Sequence, residues 1–355
     1  MRNSTRKTSV PLSTDAVQII RGLIFGELIT ILIIGGLWLW LRPRLVIDRS
    51  PTSTYNQDTD TASVPPNAST FQSIPNVPIG SFNYGGSTAW APIRQLVDSY
   101  IQNTRPELNL HYVNPDSSSP GSGEGIRMLL DGKLDFAQSS RPLTATEYAL
   151  AQQRGFTLSQ SQIGTDGVAV VANRTLEVPG LTVEQLQQIY LGKITNWKQV
   201  GGPNLAITAF SQRPENADAA IFSSKQDLSS NVHYVDSTTE ALRRVSQTPG
   251  GLYFASARAV VPQCTVKSLP LGITKEQLIS LYRQPLVSPN QCPLKRNQLN
   301  PEVIKNGSYP ITAKLFVIIK QDNGRQQQAG VAYSKLLLTD QGQRAIKQAG
   351  FIPVR

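Results

Sequence analysis

Short apolar runs alternate with stretches of helical spacing from about residue 78 to the end of the chain. The segment 108–114 alternates apolar and polar residues, which is typical of a half-buried strand. The segments 166–173 and 312–320 are continuous apolar runs, which are typical of buried strands. Because strand-like and helix-like segments alternate, the pattern predicts an α/β fold in which helices cover a sheet.

Helix starts are marked by capping boxes, in which a Thr is followed three residues later by Glu or Gln. Such pairs begin at Thr144, Thr182 and Thr274. They predict helices over 144–155, 181–192 and 273–282. The region 329–350 has the pattern of a long helix, a turn near Gly342 and a further helix.

The N-terminal region has a different pattern. Residues 23–41 are apolar apart from Glu27, and as a helix they would reach roughly 28 Å, enough to cross a bilayer. Trp38 and Trp40 lie at one end, where indole rings prefer the membrane interface. A cleaved signal peptide is the alternative, but "LRPRLVID" follows instead of small residues, so the pattern favours an uncleaved anchor. A slight excess of basic residues before the span predicts a cytoplasmic N-terminal segment, 1–22.

Residues 42–77 are predicted to be a flexible linker. From residue 50 the segment is rich in Ser, Thr, Pro, Asn and Asp and has few apolar residues to bury. The chain would thus consist of an anchor, a tether and an extracytoplasmic domain.

The net charge of +10 favours an anionic partner. The basic residues are scattered singly and are not interleaved with aromatic residues, so we expect no nucleic-acid binding. With only two histidines and two cysteines, we also expect no metal site. Cys264 and Cys292 suggest a disulfide in an exported domain, with two unpaired buried thiols as the alternative.

Three loops share a composition that suits a small anion: "YGGSTAW" (84–90), "PGSGEG" (120–125) and "QSSRPLT" (138–144). Each offers backbone N–H groups beside Ser or Thr hydroxyls, and the first two precede helices, whose N-termini attract anions. One such loop is usually a plain turn. Three of them at the carboxyl ends of the strands predict an oxyanion site of neutral donors, with Arg141 as the strong charge nearby.

Catalytic motifs find little support in the chain. Gly121, Ser122 and Gly123 do not fit the Gly-x-Ser-x-Gly frame of a nucleophile elbow, and no Walker-type lysine follows the glycine-rich loops. We therefore expect no enzymatic activity and no cofactor.

The segment "LTVEQLQQIYLGKITNWKQVGGPN" (181–204) closely resembles a signature of the phosphate-binding proteins of ABC transporters. The order of the other motifs resembles the same family from about residue 78 to the C-terminus. The resemblance implies a two-lobed periplasmic-binding-protein fold of type 2, with two hinge crossings near 165–167 and 310–313. The lobes would comprise 78–165 with 312–355, and 166–311.

The resemblance also implies a ligand set. The anion contacts that it carries over are Ser87, Thr88, the amide of Ala89, Ser122, Ser140, Arg141 and Arg213. The sequence departs from the family at "RPENADA" (213–219), where the family has Arg-x-x-Gly-Ser-Gly-Thr at a helix start. Two hydroxyl donors are lost there, and Asp218 would place a negative charge at an anion-binding helix end.

The expected function is that of a single-pass, membrane-anchored binding protein on the periplasmic or extracellular side of the cytoplasmic membrane. It would capture phosphate or a similar oxyanion for an ABC transporter permease. The alternative is a degenerate binding-protein fold that acts as a sensor or interaction module without tight phosphate binding.

Overall fold

The computed structural model of the chain describes residues 69–116, 118–213 and 228–355. The expected anchor at 23–41 and most of the expected linker lie outside these residues. Within the described part of the chain, no helix is both long and apolar enough to cross a bilayer.

The described elements alternate as the sequence pattern predicts. The helices are α1 (Ala91–Thr104), α2 (Ser122–Leu130), α3 (Ala145–Gln153), α4 (Val183–Tyr190), α5 (Thr238–Gln247), α6 (Ala257–Val260), α7 (Glu302–Lys305), α8 (Arg325–Leu337) and α9 (Asp340–Gln348). The strands are β1 (Gly80–Gly86), β2 (Leu108–Tyr112), β3 (Phe136–Ser139), β4 (Thr157–Asn173), β5 (Leu181–Thr182), β6 (Thr208–Ser211), β7 (His233–Tyr234), β8 (Gly251–Ser256), β9 (Val266–Leu269), β10 (Leu271–Gly272), β11 (Thr312–Gln321) and β12 (Ile352–Pro353).

The two long strands β4 and β11 lie side by side in the middle of the main sheet. Its order is β2-β1-β3-β11-β4-β8-β6-β7, with β9 and β12 also paired to β4. The strands β1, β2 and β3 are mutually parallel, whereas β11 runs antiparallel to both β3 and β4. The segments in which the sequence predicts the two crossings lie side by side, because Thr312 pairs with Gly167 and Ala313 pairs with Asp166.

Apolar residues gather in separate clusters on the two sides of these crossings. On one side, Phe136 and Tyr333 pack with the other buried residues of the β1–β3 sheet and of α1, α8 and α9; we call this the first lobe. On the other side, Val170, Trp197 and Tyr253 belong to a core that runs from Val168 to Ala313, the second lobe. The fold thus has two lobes, each with its own core.

The expected C-terminal end of the linker, residue 77, is wrong. Phe71 is fully buried in the core of the first lobe, and Ser69 Oγ donates to Asp340 Oδ2 at 2.8 Å. Arg105 Nη1 also donates to the Gln72 carbonyl at 3.3 Å. The chain therefore belongs to the folded body at least from Ser69 onward, because one buried aromatic ring and hydrogen bonds to distant residues hold a segment of otherwise polar composition.

The expected helix over 273–282 is also wrong. Leu271 and Ile279 exchange two backbone hydrogen bonds of 3.0 and 2.7 Å, which form an antiparallel bridge across this segment. Leu271 is fully buried, and β10 pairs with β5. Pairing with the body of the lobe therefore prevails over a local helix-start signal.

Cys264 and Cys292 are joined in a disulfide, with their Cα atoms 5.8 Å apart. The bond closes a loop of the second lobe at a sequence separation of 28 residues. Of the two interpretations that the sequence allows, the structure contains the disulfide.

Candidate functional site

The first glycine-serine loop leaves the end of β1 through a backbone that only glycine adopts readily. Gly86 has φ +124°, and a Cβ atom there would lie 2.2 Å from the carbonyl oxygen of Gln138. This close approach lets the Ser87 N–H donate to the same carbonyl at 2.8 Å. Ser87 is thereby held against the carboxyl end of β3.

The second loop is brought to the same place by the packing of α2. A Cβ atom on Gly125 would lie 2.4 Å from the Cα atom of Gly86, so the first turn of α2 rests directly on the end of β1. Ser122, in that first turn, accepts a hydrogen bond from the Ser140 backbone N–H at 3.1 Å. Two glycines thus let the helix and the strand end approach closely enough for their serines to meet.

Three serine hydroxyls meet where these loops converge. Ser140 Oγ lies 3.0 Å from Ser87 Oγ and 3.1 Å from Ser122 Oγ. Ser87 and Ser122 are fully buried, and Ser140 is 2% exposed. Because each hydroxyl can donate one proton and accept others, the cluster can turn its protons toward a neighbouring anion. We call Ser87, Ser122 and Ser140 the serine cluster.

The remaining residues of the first loop lie beside this cluster. The Ala89 N–H donates to Ser87 Oγ at 3.2 Å, so in this conformation the amide is bonded within its own loop. Thr88 is half-buried and follows Ser87 directly. All five serine, threonine and alanine positions that the sequence singles out are thus brought together at the carboxyl ends of β1 and β3.

Arg141 is held by the carboxylate of Glu147, a contact that the sequence does not predict. Its Nη2 lies 2.7 Å from Glu147 Oε1, and its Nη1 lies 3.0 Å from Glu147 Oε2. The two side chains are only 12% and 13% exposed. In this conformation the guanidinium therefore faces a balancing negative charge, in a bidentate geometry that fixes its orientation.

Glu147 serves two partners at once. Burial alone would raise the pKa of this carboxyl, but the hydrogen bonds and charge of Arg141, with the Thr144 N–H and hydroxyl, hold its pKa below the ordinary value. Its Oε2 accepts from the Thr144 N–H at 2.8 Å and so completes the capping box of α3. The sequence shows the capping box, whereas the contact with Arg141 depends on the path of the loop between them.

A cleft of about 950 Å³ is lined by residues that directly follow Ser122 and Ser140, while the serines themselves lie behind its wall. On the side of the first lobe it is lined by Gly123, Arg127 and Arg141, which adjoin the buried serines in sequence or in the fold. On the side of the second lobe it is lined by Arg213 and Asp236. Arg213 is thus near the other expected contacts, although its exposed side chain lies across the cleft from the serine cluster.

Arg213 marks the last described residue before a gap. Its guanidinium carbon lies 5.6 Å from the centroid of the Tyr234 ring, a distance at which a cation interacts with an aromatic face. The rest of the departing loop, with Asp218, lies outside the described residues.

A chain of hydrogen bonds connects the first glycine-serine loop to the interior of the first lobe. Arg94 Nη1 donates to the Ser87 carbonyl at 3.2 Å and to Gln138 Oε1 at 2.8 Å. Gln138 Nε2 donates in turn to the Tyr333 hydroxyl at 3.0 Å. The Tyr333 hydroxyl donates to Asp98 Oδ1 at 3.2 Å. The sequence does not predict these hydrogen bonds, because the residues that form them are far apart along the chain.

Asp98 ends this chain of hydrogen bonds inside the first lobe. It also accepts a hydrogen bond from the Tyr84 hydroxyl. Burial raises the pKa of Asp98 to about 6, against the hydrogen bonds from Tyr84 and Tyr333 and the charge of Arg94, which lower it. Burial and the neighbouring Asp98 also raise the pKa of the Tyr84 hydroxyl above its ordinary value.

Metal chemistry finds no candidate ligands here. Across residues 69–116, 118–213 and 228–355, no three His, Cys, Asp or Glu side chains come together in a way that could hold a metal ion. The arrangement presents neutral hydroxyl donors, an ion-paired arginine and an arginine across the cleft, which are groups that can hold an anion.

Curated relatives of the chain have consistent names. The phosphate-binding protein PstS of Staphylococcus epidermidis (strain RP62A) is 24% identical over 282 residues, which cover 77% of this chain and 78% of that protein. The phosphate-binding protein PstS of Staphylococcus haemolyticus is 24% identical over 275 residues, covering 75% and 79% of the two chains.

Two solved structures share the fold. One is a putative phosphate ABC transporter substrate-binding protein with bound phosphate from Clostridium perfringens, with a TM-score of 0.61 and 22% identity over 78% of this chain and 100% of that chain. The other is an ABC-type phosphate transport receptor from Vibrio cholerae, with a TM-score of 0.56 and 23% identity over 77% and 100% of the two chains. The model of the PBP superfamily domain matches residues 65–341, and the chain therefore belongs to the PBP superfamily.

Proposed function

We propose that this chain captures phosphate in the cleft between its lobes and delivers it to the permease of an ABC transporter. The observation that carries the proposal is the serine cluster, Ser87, Ser122 and Ser140, which meets at the carboxyl ends of parallel strands, next to the residues Gly123 and Arg141 that line the cleft. Open α/β sheets bind ligands at this edge. The names of the curated relatives and of the two solved structures support phosphate as the anion.

Neutral donors suit a multiply charged oxyanion. Hydrogen bonds to an ionised acceptor are stronger than those between neutral groups, and the donors carry no counter-charge that would have to be desolvated. Ser140 can donate to a phosphate oxygen or accept its proton, because its hydroxyl does both. The ion pair of Arg141 with Glu147 then supplies an oriented guanidinium beside the hydroxyls while limiting the local positive charge.

The proposal extends to the lobe bounds, the membrane anchor and the absence of enzymatic conversion. The lobes would comprise residues 78–165 with 312–355, and 166–311, and closing them would bring Arg213 to an anion held by the serine cluster. Residues 23–41 would anchor the chain in the cytoplasmic membrane, with the lobes on the periplasmic or extracellular side. The chain would bind and release its ligand without enzymatic conversion, as expected of a substrate-binding protein.

The pairing of Arg141 with Glu147 favours a second candidate function. An arginine that is already neutralised attracts an anion less than a free one, and Asp236 adds a carboxylate to the lining of the cleft. A binding-protein fold with weak anion affinity could act as a sensor or interaction module. The two functions differ in the affinity of the cleft for phosphate.

Calorimetric titration of the full chain with phosphate, and then with sulfate, separates the two functions. We expect micromolar or tighter phosphate binding that weakens at least about tenfold, or by about 1.4 kcal/mol, in Ser140→Ala. Ser334→Ala is the matched control, because Ser334 is also buried (4% exposed) but lies on α8, where it donates to the Gly330 carbonyl. No heat with either anion from a folded chain would overturn phosphate capture and favour the second function.

A further inference from the structure

A second cavity of the described chain is larger than the cleft. It has a volume of about 1270 Å³ and shares no lining residue with the cleft. One wall is formed by the end of α9 and by β12 in the first lobe, and the other by residues of the second lobe between 258 and 305. We call it the basic cavity.

The charged side chains that line the basic cavity are mostly positive. Only one carboxylate side chain, Glu302, lies in the lining. The cations of the lining are Arg258, Arg283, Arg296, Lys305, Lys347 and Arg355. None of these six forms an ion pair within 4.0 Å among the described residues. Six cations that converge on a concave space focus a positive potential there and attract anions of high charge.

Arg258 gives a second, independent indication of a ligand. Its Nε atom is buried and has no hydrogen-bond partner. The side chain is fixed by Gly350, where φ is +86° and where a Cβ atom would lie 2.4 Å from Arg258 Cδ. A buried donor without an acceptor is costly, and an anion beside the Arg258 guanidinium would offset part of that cost.

We propose that the basic cavity is a binding site for a polyphosphate chain. An anion with several phosphate groups has more charged oxygens to share among the six cations of the two walls than a single phosphate has. The planar guanidinium groups of Arg258, Arg283 and Arg296 match phosphate oxygens in bidentate geometry. Both inorganic polyphosphate and a nucleoside triphosphate contain this group, and the experiment separates them.

The test is calorimetric titration of the full chain with inorganic tripolyphosphate, in the presence of about 1 mM phosphate, roughly a thousandfold above a micromolar Kd, to occupy the cleft. We expect saturable binding with one site. In Arg258→Gln/Arg283→Gln we expect the affinity to fall at least about tenfold. Lys193→Gln/Lys198→Gln is the matched control, because it removes two exposed cations of the second lobe outside the cavity. We expect it to change the affinity less than about twofold.

A second variant keeps the test decisive if the first variant does not fold. Lys347→Gln changes the other wall of the cavity, in the first lobe, and we expect a smaller loss of tripolyphosphate affinity with phosphate binding in the cleft retained. Titration with ATP then separates the sources: binding of ATP as tight as that of tripolyphosphate assigns the site to nucleoside triphosphates, and weaker binding assigns it to inorganic polyphosphate.

Three results would overturn the proposal. The first is the absence of tripolyphosphate binding by the folded wild-type chain. The second is an equal loss in the cavity variant and in the Lys193/Lys198 control, which would indicate general charge attraction. The third is tighter binding of an oligoglutamate peptide or of phosphatidylglycerol vesicles than of tripolyphosphate, which would assign the cavity to an acidic protein or to a lipid surface.

Discussion

The ion pair between Arg141 and Glu147 leads to a quantitative prediction for phosphate affinity. Glu147→Gln removes one negative charge from the lining of the cleft while conserving size. A glutamine at this position can still complete a capping box with Thr144. The substitution therefore changes the charge beside Arg141 with little change in the shape of α3.

The magnitude follows from the geometry of the pair. Glu147 Oε1 lies 2.7 Å from Arg141 Nη2, at one edge of the guanidinium, so an anion bound at another edge would be about 7 Å from the carboxylate. At an effective dielectric constant of 80, removing the repulsion of a dianion at that distance is worth about 1.2 kcal/mol, or about eightfold in affinity. A lower effective dielectric constant in the cleft increases the gain, so we expect phosphate to bind about 8- to 50-fold more tightly.

Stability should change in the opposite direction. A hydrogen bond between charged groups contributes about 1.5–3 kcal/mol, and glutamine retains part of it. We expect Glu147→Gln to lower the free energy of unfolding by about 1–2 kcal/mol, which is roughly 2–3 °C in Tm for a chain of this size. A variant that is less stable yet binds phosphate more tightly cannot be explained by general damage to the fold.

Calorimetry at pH 7 with phosphate, paired with a thermal melt, measures both effects. Asp322→Asn is the matched control: its carboxylate also pairs with a cation, Lys320, at 3.0 Å and accepts from a backbone N–H, that of Gly324. Asp322 follows the far end of β11, about 20 Å from the strand end near the serine cluster. Weaker phosphate binding in Glu147→Gln would refute the electrostatic reasoning, because it would mean that the carboxylate assists the anion.

Three further changes test other parts of the molecule. Because burial raises the pKa of Asp98 from 3.8 to about 6, the folded chain holds this proton more tightly than the unfolded chain, and Asp98 lowers stability as pH rises from about 4 to 6. In urea melts, Asp98→Asn should therefore gain up to about 3 kcal/mol relative to wild type across that window, and a constant difference would contradict this assignment. Gly125→Ala should cost about 1–3 kcal/mol and weaken phosphate binding, since a Cβ atom would lie 2.4 Å from Gly86 Cα; unchanged melts and titrations would show that α2 can shift freely. Replacing Cys264 and Cys292 by Ser should cost about 3–4 kcal/mol in a thermal melt while leaving phosphate affinity unchanged, and a large loss of affinity would tie that loop to the cleft.

Local signals in the sequence predicted much of the fold. The capping boxes at Thr144 and Thr182 mark the observed starts of α3 and α4, because their side chains accept from the N–H three residues on. The apolar run at 312–320 becomes β11, which is buried over most of its length. Patterns fail where long-range pairing decides, as in the bridge between Leu271 and Ile279.

The candidate site could be predicted as far as it depends on strand ends. Because β1 and β3 are parallel neighbours, their carboxyl ends share an edge, and Ser87 and Ser140 therefore meet. The partner of Arg141 could not be predicted, since it depends on how the chain turns between β3 and α3. The basic cavity could not be predicted for a similar reason, because its cations are scattered singly between 258 and 355 and become neighbours only in the folded chain.

The central position of β11 has a consequence for the order in which the chain folds. The strand lies between β3 and β4, yet it is encoded close to the C-terminus, after the whole second lobe. During synthesis the second lobe is therefore complete while the sheet of the first lobe still lacks the strand that joins its two parts. Domains fold as units once their residues are available. We expect the second lobe to mature first, so that the binding cleft forms only in the last step, when the final segment of the chain is inserted.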